Sequence, residues 1–275
     1  MNILCIGDIV GKPGRDAVKG LIKDLRKEYQ VDFVIANAEN VAGGSGITSK
    51  LAKDLLANGC DVLTLGDHVW DQKELEGFLN QTDQVLRPAN FPDGAPGKGW
   101  CIRTLPDGKK IGVVCLLGRV FMRYQVECPF LKLKEIVNEI RKQTPIIVLD
   151  FHAEATSEKI ALGYYIDGEI SALFGTHTHV QTADERLLPK QTAFITDLGM
   201  TGPINSIIGQ DKENIIQRFL TSRPIKFYVA KNDVQLNGIV LKIDPADGKA
   251  QSIERIQRSF AWADSTVEDL VEKEA

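Results

Sequence analysis

Residues 63–71, L-T-L-G-D-H-V-W-D, place a carboxylate and an imidazole at the end of an apolar run. The run begins at Val62 and stops at Gly66, a length and boundary that favour a buried strand. Asp67 and His68 follow the glycine directly. One such pair could be an ordinary strand cap. Its meaning therefore depends on what the other strands deliver to the same place.

The first third of the chain alternates strand-like and helix-like segments around this stretch. Apolar runs predict strands at 2–7, 33–36 and 61–65, and helical spacing of apolar residues predicts helices at 13–29, 48–58 and 72–79. Strands that alternate with helices favour right-handed crossovers and a mainly parallel sheet. This pattern predicts an α/β fold.

The rest of the chain predicts a mixed arrangement of strands and helices. The expected elements are a hairpin of 101–105 with 111–117, a helix at 131–142, strands at 145–149 and 170–174, a hairpin of 227–230 with 238–243, and an edge strand at 251–260. No internal repeat or linker separates these segments. We therefore expect one domain over residues 1–275, with two packed sheets and helices outside them.

Composition excludes several classes of protein. The 275 residues carry a net charge of −4, which leaves no broad basic surface for a stable nucleic-acid complex. No stretch reaches the roughly 18–20 apolar residues of a membrane span. The five cysteines form no C-x-x-C motif, and the N-terminus has no basic leader. These features predict a cytoplasmic protein, and they leave a homo-oligomer possible.

The predicted strands share one property, which is that polar, metal-binding residue types follow them. The strand ends are Gly7-Asp8, Asn37-Ala38-Glu39-Asn40, Gly66-Asp67-His68, Asp150-Phe151-His152 and Gly175-Thr176-His177-Thr178-His179. All four histidines of the chain belong to this set. In open α/β sheets ligands bind outside the carboxyl ends of the strands. The sequence therefore predicts a functional site at this edge.

The residue types at the strand ends favour a pair of metal ions. Imidazole combined with carboxylate suits Mn, Fe or Zn rather than Mg or Ca. Three histidines with Asp8, Glu39 and Asp67 are too many ligands for one tetrahedral zinc ion. They suit two ions with a bridging carboxylate, an arrangement that clamps a phosphoryl group.

Other catalytic sites find less support in the sequence. A serine-histidine-aspartate triad is the main rival, but the chain has no G-x-S-x-G motif, and Ser45 has no base near it in the sequence. The G-G-S-G segment at 43–46 is only a weak signal for a phosphate-binding loop.

Longer segments of the chain resemble a known family. The segments are G-D-I-V-G-K-P-G-R (7–15), R-P-A-N-F-P (87–92), D-F-H-A-E-A-T-S-E-K (150–159), G-T-H-T-H-V-Q-T-A-D (175–184) and T-D-L-G-M-T-G-P (196–203). Together with the strand ends, they resemble the calcineurin-like metallophosphoesterases, and more closely the YmdB-type branch of 2′,3′-cyclic-nucleotide phosphodiesterases. The resemblance extends over nearly the whole chain.

The resemblance implies a fold and the roles of individual residues. The fold would be a four-layer α/β/β/α sandwich of two mixed sheets flanked by helices, the metallo-dependent phosphatase fold. Two transition-metal ions would bind, usually Fe or Mn, with Zn also compatible. One ion would take Asp8, Glu39, Asn40 and His179, and the other would take Glu39, Asp67, His152 and His177. His68 would protonate the leaving ribose oxygen.

The sequence departs from the implied family pattern at one metal position. The family has G-N-H where this chain has Gly66-Asp67-His68. An aspartate at that position still offers an oxygen ligand. We expect its added charge to tighten metal binding, to oppose the field that stabilises an anionic transition state, and to keep His68 protonated.

The expected activity is hydrolysis of small phosphodiesters of the 2′,3′-cyclic-nucleotide class through a metal-bridging hydroxide. The alternatives are a phosphomonoesterase or nucleotidase that uses the same site, and a regulatory protein with a weakly active site. Several further residues have two possible roles. Arg87 and Arg119 could contact phosphate, although surface ion pairs are favoured. Asp150 could cap its strand or orient His152, and Asp197 could support the site or form a turn. Trp70, Phe91 and Trp100 are expected to pack or to anchor loops rather than to stack on a base.

Overall fold

The computed structural model describes residues 1–231 and 233–262. The helices are α1 (Gly11–Glu28), α2 (Ser49–Ala57), α3 (Leu75–Leu79), α4 (Pro129–Ile140), α5 (Thr156–Ile166) and α6 (Lys212–Thr221). The strands are β1 (Asn2–Ile6), β2 (Asp8–Ile9), β3 (Phe33–Asn37), β4 (Val62–Thr64), β5 (Val85–Leu86), β6 (Trp100–Thr104), β7 (Lys110–Leu117), β8 (Ile147–His152), β9 (Ala172–Thr176), β10 (Arg186–Leu187), β11 (Ala193–Ile195), β12 (Met200–Pro203), β13 (Val234–Ile243) and β14 (Ala250–Phe260).

The strands form two mixed sheets. One has eight strands in the order β2-β12-β13-β1-β3-β4-β5, with β14 paired to β13. The other has six strands in the order β10-β11-β9-β8-β7-β6. Strands β1, β3, β4 and β5 pair in parallel, as do β7, β8, β9 and β11. The carboxyl ends of the parallel strands within each sheet therefore lie at a common edge.

Alternating side chains of β1 show how the sheets stack. Leu4 and Ile6 lie in an apolar cluster with residues of α1 and α2, whereas Ile3 and Cys5 lie in a second cluster between the two sheets. A third cluster joins the other face of the six-stranded sheet to α4 and α5. Full burial of a side chain such as Ile3 contributes about 1.5–3 kcal/mol. The predicted α/β/β/α order is confirmed.

The predicted hairpin of 227–230 with 238–243 is wrong. β13 pairs instead with β14, and among the described residues 227–230 contributes only an isolated bridge between Gln210 and Val229. The turn between β13 and β14 forms at D-P-A-D-G, where Gly248 has a φ of +77°. A glycine with positive φ suits a tight turn, which favours the hairpin of β13 with β14 over the predicted hairpin with its longer connection through 231–237.

Other sequence predictions are confirmed or need correction. The hairpin of β6 with β7 and the strand over 251–260 are present. The strand predicted at 170–174 is found at Ala172–Thr176. Helices α5 and α6 were not predicted, and α5 has no simple apolar stripe because it buries Glu158 and Lys159. Residues 263–275 of the expected domain lie outside the described residues.

The structure also shows the state of the cysteines and the character of the helices. All five cysteines are free thiols, four of them buried and Cys128 partly exposed. Burial raises the pKa of both Cys60 and Cys101 to about 12. No helix in the described part of the chain is both long and apolar enough to cross a membrane.

Candidate metal centre

The predicted site residues converge where the two sheets meet. Asp8 lies in β2, Glu39 and Asn40 follow β3, and Asp67 and His68 lie just beyond β4. From the other sheet, His152 ends β8, and His177 and His179 follow β9. Gly66 permits this approach, because a Cβ at that position would overlap Glu39 Oε2 and the His152 ring.

Four of these residues form an inner cluster, defined as Glu39, Asp67, His152 and His177. One potential ligand atom from each lies within 4.8 Å of all the others. His152 Nε2 lies 3.2 Å from Glu39 Oε1, 3.3 Å from Asp67 Oδ1 and 3.0 Å from His177 Nδ1. Atoms that share an ion at about 2.0–2.2 Å lie roughly 3 Å apart. The inner cluster therefore has the spacing of a metal site.

The remaining predicted ligands form an outer group beside the inner cluster. His179 Nε2 lies 3.3 Å from Asn40 Oδ1 and 3.9 Å from Asp8 Oδ1. Asp8 Oδ1 also lies 3.9 Å from His152 Nδ1, and Asp8 Oδ2 accepts a 3.2 Å hydrogen bond from the backbone N–H of His177. These separations are wider than those of the inner cluster, so the outer group is less compact.

Asp150 orients His152 through an intermediate hydroxyl group. The Thr176 hydroxyl donates to Asp150 Oδ1 at 2.7 Å and lies 2.9 Å from His152 Nδ1. Because its proton goes to Asp150, this hydroxyl accepts the Nδ1–H of His152, which leaves Nε2 free to bind a metal. Thr64 and Asn37 complete the bonds to Asp150. Of the two roles considered for Asp150, the structure favours the orienting one.

A buried ion pair supports the loop that carries His177 and His179. Lys159 and Asp197 are fully buried, and Lys159 Nζ lies 2.7 Å from Asp197 Oδ2 and 2.9 Å from the carbonyl oxygen of Thr176. Asp197 also accepts hydrogen bonds from the backbone N–H groups of Thr178 and Gly199. Sequence reasoning left the role of Asp197 open and did not assign a role to Lys159, although Lys159 is the last residue of the segment 150–159 that resembles the family.

The supported loop has strained backbone at both of its histidines. His177 has a φ of +98° and His179 has a φ of +65°, in the region that favours glycine. Non-glycine residues stay in this region only where their surroundings hold them there, and such residues concentrate at functional sites. The Lys159–Asp197 pair provides such surroundings.

The charges of the inner cluster depend on one another. Burial alone would raise the pKa values of Glu39 and Asp67, but His152 lowers both pKa values overall. Burial also opposes protonation of His152, yet the surrounding carboxylates raise its pKa well above the usual value. For Asp8 burial dominates and raises the pKa to about 7. Buried carboxylates that require a neighbouring positive charge form a donor set suited to a cation.

His68 lies beside the inner cluster and belongs to a separate group of contacts. Its Nδ1 is 2.7 Å from Asp71 Oδ2, its backbone N–H donates to Glu39, and about a third of its side chain is exposed. Arg123 Nη1 bonds the other oxygen of Asp71 at 3.2 Å. Burial lowers the pKa of His68, but the charge of Glu39 and the bond to Asp71 outweigh it and raise the pKa overall.

Ser45 also contacts this group, because the fold brings it to His68, which lies 23 residues away in the sequence. Its hydroxyl donates to Asp71 and lies 3.2 Å from His68 Nδ1. In a serine triad the serine and the aspartate bind opposite nitrogens of the imidazole. Here both contact the same nitrogen, so the arrangement does not support a serine nucleophile.

The surface ion pairs favoured for the two arginines are not found. The Arg87 guanidinium is buried and donates to the carbonyl oxygens of Pro88, Ala95 and Pro96, which makes it a loop support. Arg119 is exposed and contacts Cys128 Sγ at 3.6 Å. Among the residues that the structure describes, neither Arg87 nor Arg119 forms an ion pair.

The aromatic residues considered at the sequence level pack as expected. Trp70 and Phe91 meet edge to face with ring centroids 5.5 Å apart, and Phe91 and Tyr124 meet in the same way at 5.4 Å. These contacts link the loop after β4 to the segment after β7. Trp100 lies in β6 and packs at the margin of the third apolar cluster.

Comparisons with known proteins agree with this architecture. Residues 4–256 match the family described as YmdB-like protein. A Bacillus subtilis protein named 2′,3′-cyclic-nucleotide 2′-phosphodiesterase is 51% identical over 256 residues, which cover 93% of this chain and 96% of that protein.

Two solved structures are similar over most of their length. A hypothetical protein from Thermus thermophilus superposes with a TM-score of 0.88 at 39% identity, covering 94% of this chain and 99% of that one. A structure described as a novel phosphatase of Mycoplasma pneumoniae has a TM-score of 0.88 at 36% identity, covering 94% and 93%.

Proposed function

This chain belongs to the YmdB-like family, and from that premise we propose that it is a metal-dependent phosphodiesterase acting on 2′,3′-cyclic nucleotides. The observation that carries the proposal is the inner cluster, which lies directly beside the His68–Asp71 pair. Metal ligands alone would fit many reactions. A proton donor held at their side fits the cleavage of an ester bond.

The proposed ligands divide into two sets. Glu39, Asp67, His152 and His177 would hold one transition-metal ion, and Asp8, Asn40 and His179 would hold a second ion with Glu39 shared between them. Imidazole and carboxylate donors suit Fe or Mn, and also Zn. Bound metals would supply Lewis acidity towards the phosphoryl oxygens and lower the pKa of water.

The protein's own groups supply orientation and the proton. Asp150 and Thr176 hold His152 with Nε2 turned towards Glu39 and Asp67. His68 binds Asp71 through Nδ1, which leaves Nε2 to donate a proton to the leaving ribose oxygen. The charge of Glu39 and the bond to Asp71 raise the pKa of His68 despite its burial, which favours the protonated form that a general acid needs. Hydrolysis of the cyclic diester then releases a phosphomonoester.

Metal analysis coupled to a substrate pair tests the proposal. Purified protein is measured by plasma mass spectrometry, stripped with chelator, and assayed with 2′,3′-cAMP and p-nitrophenyl phosphate before and after Mn is added. We expect bound transition metal, loss of 2′,3′-cAMP hydrolysis on stripping, and its return with Mn. Protein with neither metal nor hydrolysis of either substrate would contradict the proposal. Faster hydrolysis of the monoester would instead identify a phosphomonoesterase at the same site.

A further inference from the structure

The segment 118–124, called here the β7 loop, starts at the metal centre. Leu117, the last residue of β7, pairs in register with His152. The next residue, Gly118, donates its backbone N–H to the carbonyl oxygen of His152 at 2.9 Å. The β7 loop therefore begins beside an inner-cluster residue.

A buried carboxylate fixes the first turn of the β7 loop. Glu158 is only 8% exposed and accepts hydrogen bonds from the backbone N–H groups of Arg119 at 3.0 Å and Val120 at 3.2 Å. Gly118 allows this contact, because a Cβ there would lie 2.7 Å from Glu158 Oε2. A buried charged group used in this way indicates that the conformation of the loop is closely specified.

The far end of the β7 loop is tied to the residues around His68. Arg123 bonds Asp71, whose other oxygen bonds His68. Tyr124 packs on Phe91, which packs on Trp70 two residues after His68. Two independent contacts therefore tie the end of the β7 loop to Asp71, the partner of His68, and to the aromatic cluster that includes Trp70.

Between these anchors, Phe121 projects into solvent. Its residue surface is 88% exposed, and its φ is +63°. A bulky residue in this backbone region is uncommon, and a phenylalanine in water loses the free energy of burial. Met122 and Tyr124 on the same loop pack against the core. The loop, whose two ends are bonded to His152 and Asp71, thus exposes one aromatic ring at a strained position.

We propose that Phe121 is the stacking platform for the nucleobase of the cyclic nucleotide, an inference that rests on the proposed function. An aromatic ring stacks on any base because every base has a π-face. Arg119 lies two residues before the ring and forms no ion pair within the described residues, so its positive charge is available to a substrate that carries a negative phosphoryl group, whereas Arg123 is paired with Asp71. The backbone that carries the ring is anchored on one side by Glu158 and on the other by Asp71, which bonds His68. Phe121 would therefore contribute to substrate affinity, whereas the metal centre would act on the phosphoryl group.

A base-free cyclic diester separates the platform from the chemistry. Phe121→Ala, Phe121→Leu and Phe121→Tyr are assayed with 2′,3′-cAMP and with glycerol 1,2-cyclic phosphate, which has the same five-membered cyclic diester but no base. Loss of a stacking contact should lower kcat/KM for 2′,3′-cAMP by about 5- to 100-fold in the Ala variant. Most of this change should appear in KM, the Leu variant should behave similarly, and the Tyr variant should stay near wild type. Turnover of glycerol 1,2-cyclic phosphate should not change.

Phe219→Ala is the matched control, because Phe219 is 79% exposed on α6. It should leave both reactions unchanged. If Phe121→Ala lowers kcat/KM equally for both substrates, or does not lower it for 2′,3′-cAMP, Phe121 is not a stacking platform. Either result leaves the proposed function intact as long as the wild-type protein hydrolyses cyclic diesters. A wild-type protein that hydrolyses neither substrate would overturn the proposed function itself, and the platform with it.

Discussion

The two sides of the metal centre differ in how much of each residue is buried and in what its partners are. On the inner side, Glu39 and His152 are buried, and Asp150, Thr176 and the Lys159–Asp197 pair fix the surrounding groups. On the open side, His68 is partly exposed, and the β7 loop carries a nearly fully exposed Phe121. Groups with buried partners keep one geometry, which metal ligation requires. Groups that face solvent can meet a substrate.

Removing the proposed proton donor, His68, should have the largest effect on turnover, and it tests the open side. His68→Ala should lower kcat for 2′,3′-cAMP by about 10²- to 10⁴-fold, because the leaving oxygen loses its proton source. Metal content should stay at the wild-type level, since the ring contacts Asp71 and Ser45 rather than the inner cluster. Plasma mass spectrometry and steady-state kinetics measure the two quantities. If His68→Ala loses bound metal together with activity, His68 is a metal ligand, and the two sides do not differ in the way described.

Removing the buried lysine tests the inner side. Lys159→Met takes away the partner of Asp197 and the donor to Thr176, so the loop of His177 and His179 should lose its fixed geometry. We expect affinity for Mn, measured by titration of the stripped protein, to fall by about 10- to 100-fold. Leu162→Ala is the control, because Leu162 lies buried on the same helix. It should cost about 2–5 kcal/mol of stability and leave Mn affinity unchanged. Equal Mn affinity in Lys159→Met and wild type would show that the pair serves stability alone.

Asp71→Asn should have a smaller effect, which depends on pH. Burial lowers the pKa of His68 while Glu39 and Asp71 raise it, so loss of the Asp71 charge should lower this pKa. The imidazole then loses its proton at lower pH, and the alkaline limb of the rate profile should move towards acid. Near the wild-type optimum the rate should fall roughly tenfold, the low end of the cost of losing a positioning partner. A profile that scales down without moving would show that Asp71 only supports the loop.

Asp67→Asn should have the smallest effect on turnover, because Asp67 lies at the boundary between the two sides. It contacts His152 and His177, and its charge also raises the pKa of His68. The asparagine retains an oxygen ligand but removes a negative charge. Mn affinity should fall, while turnover at saturating Mn should rise by about two- to fivefold as the opposing field is relieved. Lower turnover at saturating Mn would show that the carboxylate acts mainly through His68.

The sequence predicted most of what depends on local pattern. Strand ends that carry Asp8, Glu39, Asp67 and the histidines could be found because alternating strands and helices bring them to one edge. The partners of those residues could not be found in this way. Thr176 and Lys159 gain their roles from contacts with residues far away in the sequence. The hairpin of β13 with β14 was missed because the short apolar run at 227–230 indicated a partner for 238–243, and the turn signal at Gly248 was not used.

The strained segments were also beyond sequence reasoning. His177, His179 and Phe121 have positive φ values although none of them is a glycine, so no residue preference signals the conformation. Each is held by hydrogen bonds or packing contacts between segments far apart in the chain. The exposed position of Phe121 follows from anchors at Glu158 and Asp71, which no periodicity connects.

The distribution of the five thiols has a practical consequence for spectroscopy. Cys5, Cys60, Cys101 and Cys115 are buried, and burial raises their pKa values, so a maleimide dye has little thiolate to attack at these positions. Cys128 is partly exposed, and its sulfur lies 3.6 Å from Arg119 Nη2 at the base of the β7 loop. The wild-type chain thus provides a single labelling position next to the β7 loop, the loop proposed to bind the nucleobase. Fluorescence from that position should respond to the proposed nucleotide binding without any engineered cysteine.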